Sequence, residues 1–480
     1  MSAAGCRIDL DALGICGLTA DSREVRPGYL FMAVPGARAD GRAFIQDAVA
    51  RGARAILAPA GTATDSLPAG VPVILDDAPR RLFAKLAARV FGAQPAGVAA
   101  VTGTSGKTSV VDFIRQLWRL LGLSAASLGT LGIVAPGRCR AGALTTPDPV
   151  ELHRELARLA ENGIDHVALE ASSHGLDQYR LDGVEVSTGV FTNLSRDHLD
   201  YHPDLESYLD AKISLFRRVM APGGLAVVNA DDPAGRAAGE AARAAGHEVW
   251  RIGRNGPRLE IEIESIEPAG EGQVVAFRFL GRRHRVRMPF IGAFQAENAL
   301  AALGAAAGDR DDPNSVVPCL EGLRGVRGRL ELAAHAPSGA PIYVDYAHKP
   351  GALAAVLDAL RPSVHGRLVL AFGAGGDRDA GKRREMGTVA DRLADRVIVT
   401  DDNPRTEDPA AIRAAILAGC PGASEIGDRE AAIAAGIDGL GPEDALLIAG
   451  KGHETSQTVG AEVRPFDDRA IARELAGCEA

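Results

Sequence analysis

Aromatic residues make up only 4% of this 480-residue chain, too few for the stacking platforms that hold single-stranded nucleic acid. Positive charge is not in excess either. Against 62 Asp and Glu there are 53 Lys and Arg, a formal net charge of −9, which argues against nucleic acid or anionic membrane as a partner. No apolar run approaches the ~18 residues that cross a bilayer. The opening residues, Met-Ser-Ala-Ala-Gly-Cys-Arg-Ile-Asp, lack a basic segment leading into an apolar core, so no signal peptide is expected. The six cysteines (Cys6, Cys16, Cys139, Cys319, Cys420, Cys478) have no short metal-ligand spacing. They are expected to stay free thiols in a reducing compartment, the cytoplasm.

What is present is ample apolar material, 46% of residues. At about 100–200 residues per domain the length implies three domains. Up to residue 95, short apolar runs (29–34, 55–58, 71–75) alternate with Gly/Pro turns and a helical pattern at 44–50, as in a small α/β domain. The segment Gln94-Pro-Ala-Gly97 reads as a link. Residues 96–328 repeat strand and helix, with strands expected at 166–170, 188–192 and 225–229. This implies a mostly parallel sheet covered on both faces. Residues 258–290 alternate apolar and polar side chains, as in an antiparallel excursion at one edge. A third, Rossmann-like α/β unit covers 329–480, with strands at 342–345, 368–372, 397–400 and 446–449.

The most informative stretch is Val101-Thr-Gly-Thr-Ser-Gly-Lys-Thr108. It follows an apolar run at 98–101 and precedes Val110, Phe113, Ile114, Leu117 and Trp118, which share one helical face. A glycine-rich turn between strand and helix turns backbone N–H groups and the helix N-terminus toward an anion. Lys107 adds a full charge and Thr108 a hydroxyl for nucleotide-bound Mg²⁺. The pattern is a shortened phosphate loop, since Val101 stands where the longer form has glycine. ATP is the expected ligand. By contrast, Gly373-Ala-Gly-Gly376 departs from the dinucleotide pattern at Arg378.

Other strands also end in polar clusters, where open parallel sheets collect ligands. Glu170-Ala-Ser-Ser-His-Gly175 follows one, and Thr192-Asn-Leu-Ser-Arg-Asp-His198 another. Magnesium prefers oxygen, so Glu170 is the better ligand candidate and His198 the less usual one.

These segments carry a family resemblance. With Asp21-Ser-Arg23, Gly28-Tyr-Leu-Phe31, Leu144-Thr-Thr-Pro147, Tyr208-Leu-Asp-Ala-Lys212, Glu297-Asn-Ala-Leu-Ala301, Gly325-Val-Arg-Gly-Arg329, Val344-Asp-Tyr-Ala-His348, Gly375-Gly-Asp-Arg-Asp379, Asp402-Asn-Pro-Arg405 and Gly450-Lys-Gly-His-Glu454, the chain resembles the Mur ligases over essentially its whole length. That resemblance implies ATP-dependent amide formation in peptidoglycan precursor synthesis. A D-glutamyl side-chain carboxylate of UDP-MurNAc-L-Ala-D-Glu takes the γ-phosphate to give an acyl phosphate, which an amino acid's amine then attacks. It implies an N-terminal domain (1–95) for the UDP-linked substrate, a central ATP-binding domain (96–328) and a C-terminal amino-acid-binding domain (329–480), in a monomer.

The same resemblance assigns residues. ATP would be held by Gly103, Thr104, Ser105, Gly106, Lys107, Thr108 and Ser109, with Asn298, Arg329 and Asp345 for adenine, phosphate and ribose. Mg²⁺ would be held by Thr108, Glu170 and His198, and a carbamylated Lys212 would support a second Mg²⁺. Lys107, Lys212 and His198 are thus the catalytic candidates. Ser22, Ala37, Arg38 and Ala39 match segments for the uridine-nucleotide part, and Thr145, Thr146, Ser172, Gln178 and Arg180 those for the peptide and pyrophosphate. Asp402, Asn403, Pro404 and Arg405, helped by Arg378, Gly450 and Glu454, match the recognition motif for meso-diaminopimelate. The chemistry agrees, since Arg405 can hold the distal carboxylate with two parallel hydrogen bonds and Glu454 can pair with the ammonium. A lysine-adding member, or a ligase like folylpolyglutamate synthetase, is the alternative. The chain departs from the family pattern at Ser105, Ser109, Ala293, Arg327 and Lys349. Arg327, in place of a usual proline, is expected to loosen the turn before Gly328-Arg329.

Overall fold

The computed structural model describes residues 8–36, 39–63, 70–142, 144–198 and 200–478. The chain divides into two compact units, Met1–Ile261 with Ala301–Pro313, and Glu262–Leu300 with Asn314–Ala480.

Unit 1 contains a small sheet of four parallel strands, β1 (Gly17–Thr19), β2 (Tyr29–Met32), β3 (Ala55–Pro59) and β4 (Val73–Asp76), in that order. The strand expected at 71–75 begins two residues later, because Pro72 has no N–H to give to a ladder. The helix expected at 44–50 is Ile45–Ala50, entered through a 3₁₀ turn that the Asp40 side chain caps. Leu30, Ile56 and Leu57 are fully buried in this domain's core.

The larger sheet of unit 1 comprises β5 (Gly97–Thr102), β6 (Ala125–Gly129), β7 (Gly132–Ala135), β8 (Arg138–Arg140), β9 (His166–Glu170), β10 (Val186–Phe191), β11 (Met220–Asn229) and β12 (Glu248–Gly253). Their order is β12-β11-β10-β5-β9-β6-β7-β8. Pairing is parallel from β12 to β6 and antiparallel from β6 to β8. Central β5 and β9 are Val/Ala/Leu-rich and buried on both faces, as parallel strands under helices must be. Their carboxyl ends lie side by side, with Val101 in register with Glu170. The β7–β8 meander carries no apolar alternation, since Arg138-Cys-Arg140 is wholly exposed.

Unit 2 holds β13 (Ile261–Ala269) from Glu262 onward, β14 (Gly272–Phe279) and β15 (Arg282–Met288), with β14 and β15 antiparallel. The excursion expected at 258–290 is therefore there, its Val275, Phe277 and Phe279 turned to the buried face. A six-stranded sheet follows, made of β16 (Glu331–His335), β17 (Pro341–Asp345), β18 (Leu368–Phe372), β19 (Arg396–Val399), β20 (Ser424–Glu425) and β21 (Ala445–Ala449). It is ordered β16-β17-β21-β18-β19-β20 and is parallel except at β16. A separate hairpin pairs β22 (Ser456–Val459) with β23 (Glu462–Pro465).

At the carboxyl edge of that sheet, Arg429 and Asp468 are both fully buried. Arg429 gives Nε and Nη2 to the two carboxylate oxygens (2.7 and 2.8 Å), and other N–H groups to the carbonyls of Asp401 and Ala449. Truncation strands a buried carboxylate. Arg429→Ala should therefore lower the unfolding free energy by about 3–5 kcal/mol, read from urea melts. A loss under about 1 kcal/mol would contradict the pair's role.

Candidate active site

In unit 1 the phosphate loop hangs from the end of β10. Thr104 N–H donates to the Asn193 carbonyl (2.8 Å) and Ser105 N–H to Asn193 Oδ1 (3.0 Å), while Thr192 Oγ1 donates to the Ser105 carbonyl (2.6 Å). Gly103 has φ 141°, and a Cβ there would lie 1.9 Å from Thr192 Oγ1, so only glycine fits. Gly106, at φ 87°, caps the helix Lys107–Leu120 without a side chain, and Thr108 and Ser109 are buried in its first turn. Lys107 Nζ donates to the carbonyls of Gly103 (2.9 Å) and Thr104 (2.8 Å).

Lys212, on the helix Leu205–Ser214, reaches the same loop. Its Nζ donates to the Gly103 carbonyl at 2.6 Å and sits 4.3 Å from the centre of the Tyr208 ring. Tyr208, one helical turn earlier, meets Thr104 Oγ1 at 3.2 Å. Burial first, and the Lys107 charge second, hold the Lys212 ammonium well below the ordinary lysine range.

Glu170 ends β9 and is 1% exposed. Thr130 supplies its backbone N–H to Oε1 (2.8 Å) and its hydroxyl to Oε2 (3.2 Å), leaving lone pairs on both oxygens. His198 adopts a left-handed backbone, φ 53°, a strained state for a side-chain-bearing residue. Its ring lies in an aromatic cluster with His174, Tyr201, His202 and Tyr208. Among the described residues no group of three or more His, Cys, Asp or Glu is placed to hold a metal. Of the candidate ligands only Glu170 and His198 belong to those types.

Of the substrate candidates of unit 1, Thr145, Thr146, Ser172, Gln178 and Arg180 form one network. Thr146 Oγ1 donates to the Glu170 carbonyl (2.7 Å) and accepts from Ser172 N–H (3.0 Å); Thr145 and Thr130 share a hydroxyl contact (3.1 Å). Arg180 donates to the Thr146 carbonyl (2.7 Å) and to Gln178 Oε1 (2.8 Å). Ser22 and Ala39 follow β1 and β2 at the carboxyl edge of the small sheet. Ala37 and Arg38 lie outside the described residues.

Unit 2 gathers a second set. Asp345 ends β17, where burial pushes its carboxyl up to about 6 although Leu330 and Ala347 N–H groups donate to it. Arg329 stacks over Tyr346 at 4.6 Å, and Gln295 bridges it to Asn298 through hydrogen bonds of 2.8 and 3.1 Å. The turn before Arg329 is not loosened as expected. Arg329 N–H closes it onto the Val326 carbonyl (3.0 Å), and Arg327, in proline's place, donates to Asp467 at 2.6 Å.

Beyond β19, Asp402, Asn403 and Pro404 are buried and Arg405 half-buried. Arg405 is left-handed, φ 52°, bonds through its backbone to Thr458 and Gly460, and gives Nη1 to the Gly376 carbonyl (2.7 Å). Asn403 Nδ2 donates to Glu454 Oε2 (2.8 Å). A Cβ on Gly450 would lie 2.5 Å from Asp402 Oδ2, so glycine lets that carboxylate approach the loop. Arg378 is exposed near Gly375. Thr130, Asn193, Gln295 and Lys451 were not singled out for these contacts. Only Asn193 and Lys451 stood in recognised motifs, and none carried a signal of its own beyond residue type.

A glycine loop between a buried parallel strand and a helix, with a lysine at the helix start and a carboxylate on the adjoining strand end, defines a phosphate-loop nucleotide-binding α/β protein. The chain belongs to the Mur ligase family. Residues 14–91 match the model described as Mur ligase family, catalytic domain, residues 101–306 the Mur ligase middle domain, and residues 328–452 the Mur ligase, glutamate ligase domain. A protein of Bradyrhizobium diazoefficiens named UDP-N-acetylmuramoyl-L-alanyl-D-glutamate--2,6-diaminopimelate ligase is 55% identical over 97% of this chain and 96% of its own length. One of that name from Rhizobium meliloti is 51% identical over 98% and 96%. A solved structure of a UDP-N-acetylmuramoyl-L-alanyl-D-glutamate--2,6-diaminopimelate ligase is similar at a TM-score of 0.72 and 33% identity, over 96% of this chain and 95% of that one. Folylpolyglutamate synthase of Mycobacterium tuberculosis, complexed with ADP and AMPPCP, shares the fold at TM-score 0.65 and 20% identity, over 83% of this chain and 95% of its own. No helix among the described residues is long and apolar enough to cross a membrane.

Proposed function

We propose that this chain is the ATP-dependent ligase that joins meso-diaminopimelate to the D-Glu side-chain carboxylate of UDP-MurNAc-L-Ala-D-Glu, in peptidoglycan precursor synthesis. It acts as a cytoplasmic monomer, with residues 1–95, 96–328 and 329–480 serving the UDP-linked substrate, ATP and the amino acid. The observation that carries this reading is the end-to-end similarity to ligases of that name, 55% identical over 97% of the chain.

In the first half-reaction a carboxylate oxygen attacks the γ-phosphorus and ADP leaves. Two anions meet, so cations must already be aimed there. Lys107 supplies one, on a loop whose Ser105 carbonyl and amide are fixed by Thr192 and Asn193 and whose Thr104 hydroxyl meets Tyr208. In the second, the incoming amine attacks the acyl carbon and phosphate departs. Thr108, Glu170 and His198 would hold Mg²⁺, and carbamylated Lys212 would support a second ion. Oxygen-rich donors, with lone pairs left on Glu170, suit that ion. Bound there, Mg²⁺ would neutralise charge on the phosphates. Arg180 and Thr146 offer donors to the anionic substrate. Asn298, Arg329 and Asp345 serve ATP's base, phosphate and ribose.

ADP release with the UDP-dipeptide should need diaminopimelate, and L-lysine should not replace it. Sites built around a polar group reject analogues lacking it by about 10⁴-fold. Equal use of both amino acids would refute the specificity and leave the ligase. Arg405→Ala should raise the KM for diaminopimelate by at least about 100-fold and that for ATP little. Steady-state kinetics with each substrate varied reads this, and parallel rises would contradict it.

A further inference from the structure

Lys451 is the one residue between Gly450 and Glu454 whose side chain is wholly buried, at 0% exposure. Its Nζ donates to three oxygens: the Ser456 carbonyl at 2.6 Å, Asn403 Oδ1 at 3.1 Å and Glu454 Oε2 at 3.3 Å. An ammonium has three protons and no acceptor, so this set satisfies it completely. A buried lysine is uncommon and is kept only where it is paired.

The contacts fix two neighbours. Asn403 Oδ1 accepts from Lys451 and also from Thr458 N–H at 2.9 Å. Its amide nitrogen must therefore point the other way, where it donates to Glu454 Oε2. That same oxygen is held by Lys451. Glu454 is thus gripped by one oxygen from two donors, and its other oxygen has no hydrogen-bond partner among the described residues. Without Lys451 the Asn403 amide loses one of the two donors that set its orientation, and Glu454 loses a charged anchor.

We propose that Lys451 is a specificity-determining positioning residue for the diaminopimelate site. It orients the Asn403 amide and aims the Glu454 carboxylate at the distal ammonium of the amino acid. This rests on the function proposed above. The residue touches no reacting atom and acts through its two neighbours.

The test compares wild type with Lys451→Met, which keeps the unbranched chain to Cε and removes the ammonium. The KM for diaminopimelate should rise at least about tenfold while the KM for ATP stays within about twofold. The preference for diaminopimelate over L-lysine should shrink as well, an effect that general loosening would not produce selectively. Parallel rises in both KM values, or an unchanged KM for diaminopimelate, would overturn the proposal. If Lys451→Met does not fold, judged by circular dichroism and thermal melting, the same split is read on Lys451→Gln, which keeps a donor. Failure of both variants to fold would assign the residue a structural role and overturn the proposal. Wild-type enzyme without diaminopimelate-dependent turnover would instead overturn the underlying function, so the two failures are distinguishable.

Discussion

Lys107→Ala is expected to lose at least about 10³-fold in turnover while melting close to wild type. The stability expectation follows from what the side chain touches. Lys107 is half-buried, and its hydrogen bonds to Gly103 and Thr104 end on loop carbonyls rather than in the core. The loop itself is held independently by Thr192 and Asn193. The catalytic expectation follows from the charge. A carboxylate approaching a triphosphate meets strong repulsion, and a preorganised ammonium in a partly dry site offsets it far more than water can. The measurement is ADP release by the purified variant, with its thermal melt alongside. Turnover within tenfold of wild type in a folded variant would refute the assignment of the loop.

Lys212→Ala is expected to be nearly inactive, and small carboxylates such as acetate are expected to restore part of the activity. Burial with Lys107 nearby holds the Lys212 amine well below its usual range, which raises the share of the neutral form. That form can add to CO₂: the nitrogen lone pair forms the N–C bond, one N–H proton leaves to solvent, and a carbamate anion results. Repulsion between two ammonium groups then becomes attraction between Lys107 and an anion. Alanine leaves a cavity that a small carboxylate fits in charge and shape. Mass spectrometry under native conditions, or electron density, that finds plain lysine in an active, substrate-bound enzyme would sink this account.

The central site was legible because its signals are local. Glycine spacing between an apolar run and a helical stripe revealed the phosphate loop, and strand β9 (His166–Glu170) was read to its last residue. What could not be read depends on distant chain coming together. Thr130 reaches Glu170 across 40 positions, and Asn193 meets Ser105 across 88. Nothing in either residue type announces such a partner. Lys451 was hidden differently. Lysine is the residue least expected inside, and only the folded chain reveals the three oxygens around it. The hairpin of β22 and β23 was missed because five of its eight residues are polar and all are exposed or half-buried, leaving no apolar alternation to read. With it went the reason Arg405 takes a left-handed backbone, since Thr458 and Gly460 hold that residue on both sides. Arg327 went the opposite way from its reading. Replacing proline promised a looser turn, yet the guanidinium found Asp467, 140 positions away.

The most direct test labels the D-Glu side-chain carboxylate of the UDP-linked dipeptide with ¹⁸O and follows one turnover with ATP and diaminopimelate. An acyl phosphate requires that a carboxylate oxygen leave with phosphorus. The predicted result is inorganic phosphate carrying one ¹⁸O, with ADP and tripeptide formed in equal amounts. Unlabelled phosphate, or ADP released without amide product, would contradict the account.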